Sequence, residues 1–358
     1  TVKGRALGIA SCLIRWGRDL SFNCLLDIME KQQELHYVEC SATEQSLDLT
    51  PAQTIELLKQ ASALDDSFAL SFLGICFLHG HVVPQNKEDS VQLFQRATGL
   101  GNSEAMCILG VYCENGDGAT QDKSKSFKLF QQAADLGNTR AMFNLAVCYL
   151  KGDGVSQNKT KATQLFQIAA DLGRTDAMVN LAVCYMKGDG VPQDKSKAFQ
   201  LYEKAADLGN TEGVFYLGVC YEEGDGVPQD KAKVIQLYQQ ASDLGHTNAM
   251  VHLACRYMKG DGVPQDKLKA FQLFQQAAHM GDTSAMVNLA VCYEKGYGVA
   301  QDKTKAVQLY QKASHLGDTD AMVNLAVFYG EGDGVTQDKT KAIQLFQKAA
   351  DLGNTDAM

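Results

Sequence analysis

Four absences narrow the chemistry of this 358-residue chain before any residue is singled out. Positive charge is in deficit: 33 Lys and Arg stand against 42 Asp and Glu, for a formal net charge of −9. An acidic surface is not built to neutralise phosphates, which argues against a nucleic-acid partner. No run of 18 apolar residues occurs, so no segment reads as a membrane-spanning helix. No C-x-x-C or C-x-x-C-H spacing occurs, which leaves zinc and haem sites unsupported. No G-x-S-x-G, Walker loop, H-E-x-x-H or G-x-G-x-x-G in the right context is found. The chain therefore reads as a non-enzyme, with no catalytic residue, metal or cofactor.

What the chain has instead is a period. The stretch Thr175 to Asn210 recurs every 36 residues, and its first-turn Ala177 reappears as Ala69, Ala105, Ala141, Gly213, Ala249, Ala285, Ala321 and Ala357. One fixed period is the signature of a repeat architecture. Each unit reads as two helices. Thr175 is the expected N-cap of the first, whose core face is Ala177, Leu181, Ala182 and Tyr185 and whose stop is Gly188. GDGVPQ is loop chemistry. Asp194 caps the second helix, which presents Ala198, Leu201, Tyr202, Ala205 and Ala206 and ends at Gly209. Helices of about a dozen residues cannot bury such faces alone, so neighbouring units must stack.

The paired alanines Ala205 and Ala206, the Leu208-Gly209 pair, the Ala-Leu-Tyr face and the G-x-G-V-x-Q-D loop together resemble the Sel1-like repeat, a relative of the tetratricopeptide repeat. The resemblance covers residues 67 to 358. It implies an all-α fold, a right-handed α-solenoid of helix-turn-helix repeats, and a role as a scaffold for other proteins. Some secreted Sel1-like proteins join the two helices of each repeat by a cysteine pair, a pattern from which this chain departs.

The cysteines are read from their register. Cys76, Cys148, Cys184, Cys220 and Cys292 share one slot of the first helix, and no second helix of a repeat carries a partner. Equivalent slots of stacked helices lie roughly 9–10 Å apart, whereas a disulfide needs Cα atoms within about 7 Å. They read as small buried hydrophobes of a reducing compartment, which makes the expected location cytoplasmic. The basic start (Lys3, Arg5, Arg15, Arg18) keeps import into an organelle as the alternative.

The expected organisation is an N-terminal helical cap or leader over 1–48 and a degenerate half-repeat helix over 49–66. Eight repeats follow: 67–102, 103–138, 139–174, 175–210, 211–246, 247–282, 283–318 and 319–354. Residues 355–358 open a ninth, which reads as continuing beyond the sequence in hand. Gly213 in the fifth repeat is expected to cost helix stability, up to about 1 kcal/mol.

Two features hint at metals. One acid per GDG loop, followed by V-x-Q, falls short of a calcium loop, and reads as turn glycines around a solvated aspartate. His79 and His81 form a loop pair without a third ligand, and read as polar surface. The more informative feature is the outer face of the first helices, opposite the Ala-Leu-Tyr stripe. There Asn144, Asn180, Asn288 and Asn324 recur, with Tyr216 and His252 in the same slot. Val147, Val183 and Val291 follow, then Lys151, Lys187, Lys259 and Lys295. In related helical-pair solenoids the first helices line the concave surface. The expected partner is thus a protein or peptide, with an acidic or C-terminal segment suited to amides and lysines. The alternatives are a regulatory or targeting module of a larger enzyme, such as a kinase fusion, and a structural subunit of a large assembly.

Overall fold

The computed structural model describes residues 51–80, 83–116 and 121–357. The expected cap or leader over 1–48 and residue His81 lie outside them. Among the described residues seventeen helices follow one another: α1 (Pro51–Ala63), α2 (Ser67–His79), α3 (Lys87–Gly99), α4 (Ser103–Asn115), α5 (Lys123–Asp135), α6 (Thr139–Lys151), α7 (Lys159–Asp171), α8 (Thr175–Lys187), α9 (Lys195–Asp207), α10 (Thr211–Glu223), α11 (Lys231–Asp243), α12 (Thr247–Lys259), α13 (Lys267–His279), α14 (Thr283–Lys295), α15 (Lys303–His315), α16 (Thr319–Glu331) and α17 (Lys339–Asp351). A 3₁₀ turn, Thr355–Ala357, closes the described chain. No strand occurs among the described residues. Two compact units are present: residues up to Ala177 with Asp189–Val191, and Met178–Gly188 with Pro192 onward. Within each, consecutive helix pairs pack in chain order, the arrangement of an α-solenoid.

The caps explain why every helix has the same length. The first helix of a repeat is capped one residue earlier than the sequence suggested. Asn210 Oδ1 accepts from the Gly213 amide at 2.8 Å, and Asp282 Oδ1 from Ala285 at 2.7 Å. Thr175 is correspondingly the first residue of α8, not its cap. The reason is geometric: the N-cap must keep an extended backbone while its side chain reaches the third residue on, and Asn210 does so at φ −75°, ψ 114°. Asp194 caps α9 as expected, accepting from Lys197 at 3.0 Å. First helices end on a left-handed glycine, such as Gly188 at φ +74°. The loop glutamine then ties back to the helix it has just left, as Gln193 Nε2 does to the Met186 carbonyl at 2.7 Å. That bond recurs in all eight repeats, from Gln85 to Gln337.

Burial is broader than a single stripe. Ala177, Leu181, Ala182 and Cys184 are buried as expected, and Met178 and Val179 are buried beside them. Tyr185 is only half-buried, with the Lys197 ammonium 5.3 Å from its ring centre. In the second helix Ala198, Tyr202 and Ala205 are buried while Leu201 and Ala206 are half-buried. A fully buried aromatic ring recurs as Phe94, Phe130, Phe166, Tyr238 and Tyr310. Each such side chain withdrawn from water contributes roughly 1.5–3 kcal/mol. The ring requires a small residue opposite: a Cβ on Gly218 would stand 2.7 Å from the Tyr238 ring. Gly213 is explained the same way. A Cβ there would meet Ala205 Cβ at 2.9 Å and the Ala206 nitrogen at 3.0 Å, so closer approach of α9 and α10 offsets the propensity cost.

Candidate functional site

The GDG aspartate is not simply solvated. Its carboxylate receives the lysine that opens the second helix of the preceding repeat: Lys123 to Asp153, Lys159 to Asp189 and Lys195 to Asp225, all at 2.6 Å, Lys231 to Asp261 at 2.8 Å, and Lys303 to Asp333 at 2.5 Å. Where Tyr297 replaces the aspartate, Lys267 sits over its ring at 4.4 Å. The glycine after the aspartate belongs to the same joint. A Cβ on Gly154 would lie 2.1 Å from the Lys123 carbonyl oxygen, and one on Gly190 2.3 Å from that of Lys159. The repeated acid is thus committed to stacking. Among the described residues no group of three or more His, Cys, Asp or Glu side chains could hold a metal ion.

The outer face of the first helices is less uniform than its sequence. Asn144 is half-buried and its amide points at the Cys107 sulfur of the preceding repeat, 3.6 Å away. Asn288 and Asn324 donate to carbonyls of their own helices, Ser284 at 2.8 Å and Asp320 at 2.9 Å, with Oδ1 uncommitted. Asn180 shares the slot and is half-buried. Tyr216 is stacked on Tyr202 at 5.2 Å, which makes it packing as much as surface. His252 lies 5.5 Å from the Phe215 ring and 5.3 Å from Tyr238, and its Nδ1 is 3.9 Å from Glu222. Val147, Val183 and Val291 are half-buried. Lys151, Lys187 and Lys259 are exposed, and Lys295 is paired with its neighbour Glu294 at 2.5 Å.

One position that breaks the period gathers a buried charge network. Arg256 occupies the cysteine slot of the sixth repeat and is largely buried. It pairs with Glu222 of the preceding repeat at 2.5 Å and with Asp261 of its own loop; the Tyr238 hydroxyl also donates to Glu222. Burial, followed by the hydrogen bond to Glu222, pushes the Tyr238 hydroxyl far above the ordinary phenol range. The repeat's own cysteines respond to burial likewise: the Cys76 and Cys292 thiols are pushed up to about 11, Cys148 and Cys220 to about 12. These are poor nucleophiles at neutral pH. All five slot cysteines are buried.

A second break lies on the outer face of repeats one to three. Ile75, Leu78, Ile108, Val111, Phe143 and Asn144 enclose an open cavity of about 390 Å³, edged by Arg140 and Arg174. The asparagine slot is thereby brought into a concavity, though its arginine neighbours were not singled out from the sequence.

The Sel1 repeat model matches residues 67–102, 103–138, 139–173, 175–210, 211–246, 247–282, 283–318 and 319–354. No curated protein sequence matches the chain. Among solved structures, c5321, a protective antigen of uropathogenic Escherichia coli displaying an SLR fold, is 32% identical with a TM-score of 0.64; the match covers 85% of this chain and 65% of that one. This chain therefore spans somewhat less than two thirds of that protein's length. A Sel1 repeat protein from Oxalobacter formigenes is 25% identical with a TM-score of 0.60, over 63% of this chain and 90% of its own. No helix among the described residues is long and apolar enough to cross a membrane. Eight matched units, with caps, loop ties and inter-repeat joints repeated at one period, establish that the chain belongs to the Sel1 repeat family.

Proposed function

We propose that this chain is a non-enzymatic scaffold that holds an extended segment of another protein along the outer face of its first helices. Sel1 repeat proteins are in general protein-interaction scaffolds. The observation that carries the finer reading is the asparagine slot. Its side chains fill no core position, and in repeats seven and eight they keep an acceptor oxygen uncommitted beside half-buried or exposed valines. An extended peptide offers backbone donors and outward side chains along one line, which suits an amide beside an apolar patch. The exposed Lys151, Lys187 and Lys259 favour an acidic or chain-terminal segment.

The test is selection of peptides from a random displayed library on the immobilised full chain, followed by anisotropy measurements with the selected sequences. Asn180→Ala with Asn288→Ala, and separately Lys187→Glu with Lys259→Glu, are expected to weaken binding. The lysine changes should also flatten its salt dependence. Full affinity in both double variants would remove the binding site from this face.

A further inference from the structure

The two arginines beside the cavity of repeats one to three depart from the repeat in a way the fold does not require. Position 140 belongs to a slot filled elsewhere by Glu104, Asp176, Glu212, Asn248, Ser284 and Asp320. Position 174 is the N-cap slot, filled elsewhere by Asn102, Asn138, Asn210, His246, Asp282 and Asp318, all acceptors. Arginine has no acceptor to offer a helix N-terminus. A cap has thus been exchanged for a cation, on a chain whose net charge is −9.

Both guanidinium groups are held in place. Arg140 Nη1 meets Glu104 Oε1 at 3.0 Å, and its Nε lies 3.2 Å from the Cys107 sulfur. Arg174 Nη2 meets Asp176 Oδ2 at 2.7 Å, and its guanidinium carbon lies 5.2 Å from the centre of the Phe143 ring. The Arg174 Nε–H is buried with no hydrogen-bond partner. A buried donor left unmade is costly to the fold. Phe143 stands where Val179, Val251, Val287 and Val323 stand in other repeats, and where the fifth repeat also has a phenylalanine, Phe215. Phe143 packs against Phe166 at 5.6 Å. The cavity is walled by apolar side chains, Ile75, Ile108 and Val111 among them, with the Arg140 and Arg174 guanidinium groups at its edge. Its roughly 390 Å³ lies at the small end of specific ligand pockets.

We propose that this cavity is the anchor site of the bound segment: it takes one apolar side chain of a peptide and pairs the adjacent carboxylate with Arg140 and Arg174. The proposal rests on the scaffold reading above and adds to it the place and chemistry of the anchor. The existing partners Glu104 and Asp176 do not fill the site. They use one nitrogen of each guanidinium and orient the planar forks, whose remaining donors match a carboxylate. The favoured ligand therefore carries a Leu, Ile or Phe next to an acid, either an Asp or Glu side chain or a free C-terminus.

The test uses the same library selection on the full chain, with the double variant Arg140→Asn and Arg174→Asn. Both substitutions restore residues that the chain already uses at the equivalent positions, Asn248 and Asn138, so the variant is expected to fold. Selected peptides should be enriched in an apolar residue beside an acid, and the double variant should bind them at least ten-fold more weakly. Amidating the C-terminus of a selected peptide separates a terminal carboxylate, whose binding falls, from a side-chain carboxylate, whose binding persists. Selected peptides with no acidic preference would overturn the anchor. So would full affinity in the arginine variant when Lys187→Glu with Lys259→Glu weakens binding, and in that case the scaffold reading stands without it. Failure to select any peptide overturns both.

Discussion

Replacing Gly226 by alanine should loosen the joint between the fourth and fifth repeats, and the chain carries its own control. Gly226 has φ +74° and Gly262, its equivalent one repeat on, has φ +78°. Alanine at either position accepts a left-handed backbone that costs an L-residue roughly 1–2 kcal/mol. The surroundings differ. At Gly226 the new Cβ would stand 2.4 Å from the Lys195 carbonyl oxygen, 2.8 Å from its carbon and 3.0 Å from Ser196 Cα, all backbone at the start of α9. At Gly262 the nearest atoms are Ile235 Cγ1 at 3.3 Å and the Lys231 carbonyl oxygen at 3.5 Å. Backbone at the head of a capped helix cannot swing aside, so Gly226→Ala adds an overpacking penalty of about 1–3 kcal/mol. The Lys195–Asp225 contact would be pushed apart with it, a small loss because the lysine is half exposed. Gly209→Ala, at φ +81° with nothing within 4 Å, isolates the conformational cost alone. Urea unfolding followed by far-UV circular dichroism should rank Gly226→Ala well below the other two, which should lie close together. Amide exchange in α9 and α10 should accelerate in Gly226→Ala, since a solenoid joint opens locally. Equal destabilisation at 226 and 262 would refute the claim that this glycine exists for inter-repeat approach.

Two further outcomes follow from the titrating groups. His246 caps α12 by accepting from the Ala249 amide on Nδ1 at 3.2 Å, stacked on Phe215 at 4.5 Å; burial holds its pKa below the ordinary value near 6.5, with Glu212 opposing and His252 reinforcing. Only the neutral ring can accept, so the unfolded chain binds the proton more readily. The cap's contribution should be complete above about pH 6.5 and fall as the solution is acidified through the folded value. His246→Asn, which restores the residue of neighbouring caps, should reduce that acid-side loss in a pH series of thermal melts. An unchanged series would refute the assignment. The slot thiols Cys76, Cys148, Cys184, Cys220 and Cys292, buried in the fold, should react slowly with Ellman's reagent at pH 8 and rapidly once the chain is denatured without reductant; equal rates would contradict their burial.

The period itself was enough to place helices and loops, because each depends on local chemistry: a glycine at positive φ after each first helix, an acceptor before most helices, apolar residues at helical spacing. Asp194 and Gly188 are where that logic put them. Thr175 was one residue off, since a threonine beside an arginine looks like the cap when neighbouring repeats are not compared. What the sequence could not decide on its own was what residues thirty or more positions apart do to one another. The GDG aspartate looked solvated because its lysine belongs to another repeat, although the exchange of Asp for Tyr297 opposite Lys267 was a legible clue. The asparagine slot looked uniform, yet Asn144 turns to a sulfur while Asn288 and Asn324 bond their own helices, because adjoining repeats present different neighbours. Arg140, Arg174 and Arg256 likewise depend on neighbours that the sequence alone does not bring together. Periodic residues report what stacking needs from every unit, whereas a charge that interrupts the period acquires its meaning only from the side chains that tertiary packing places around it.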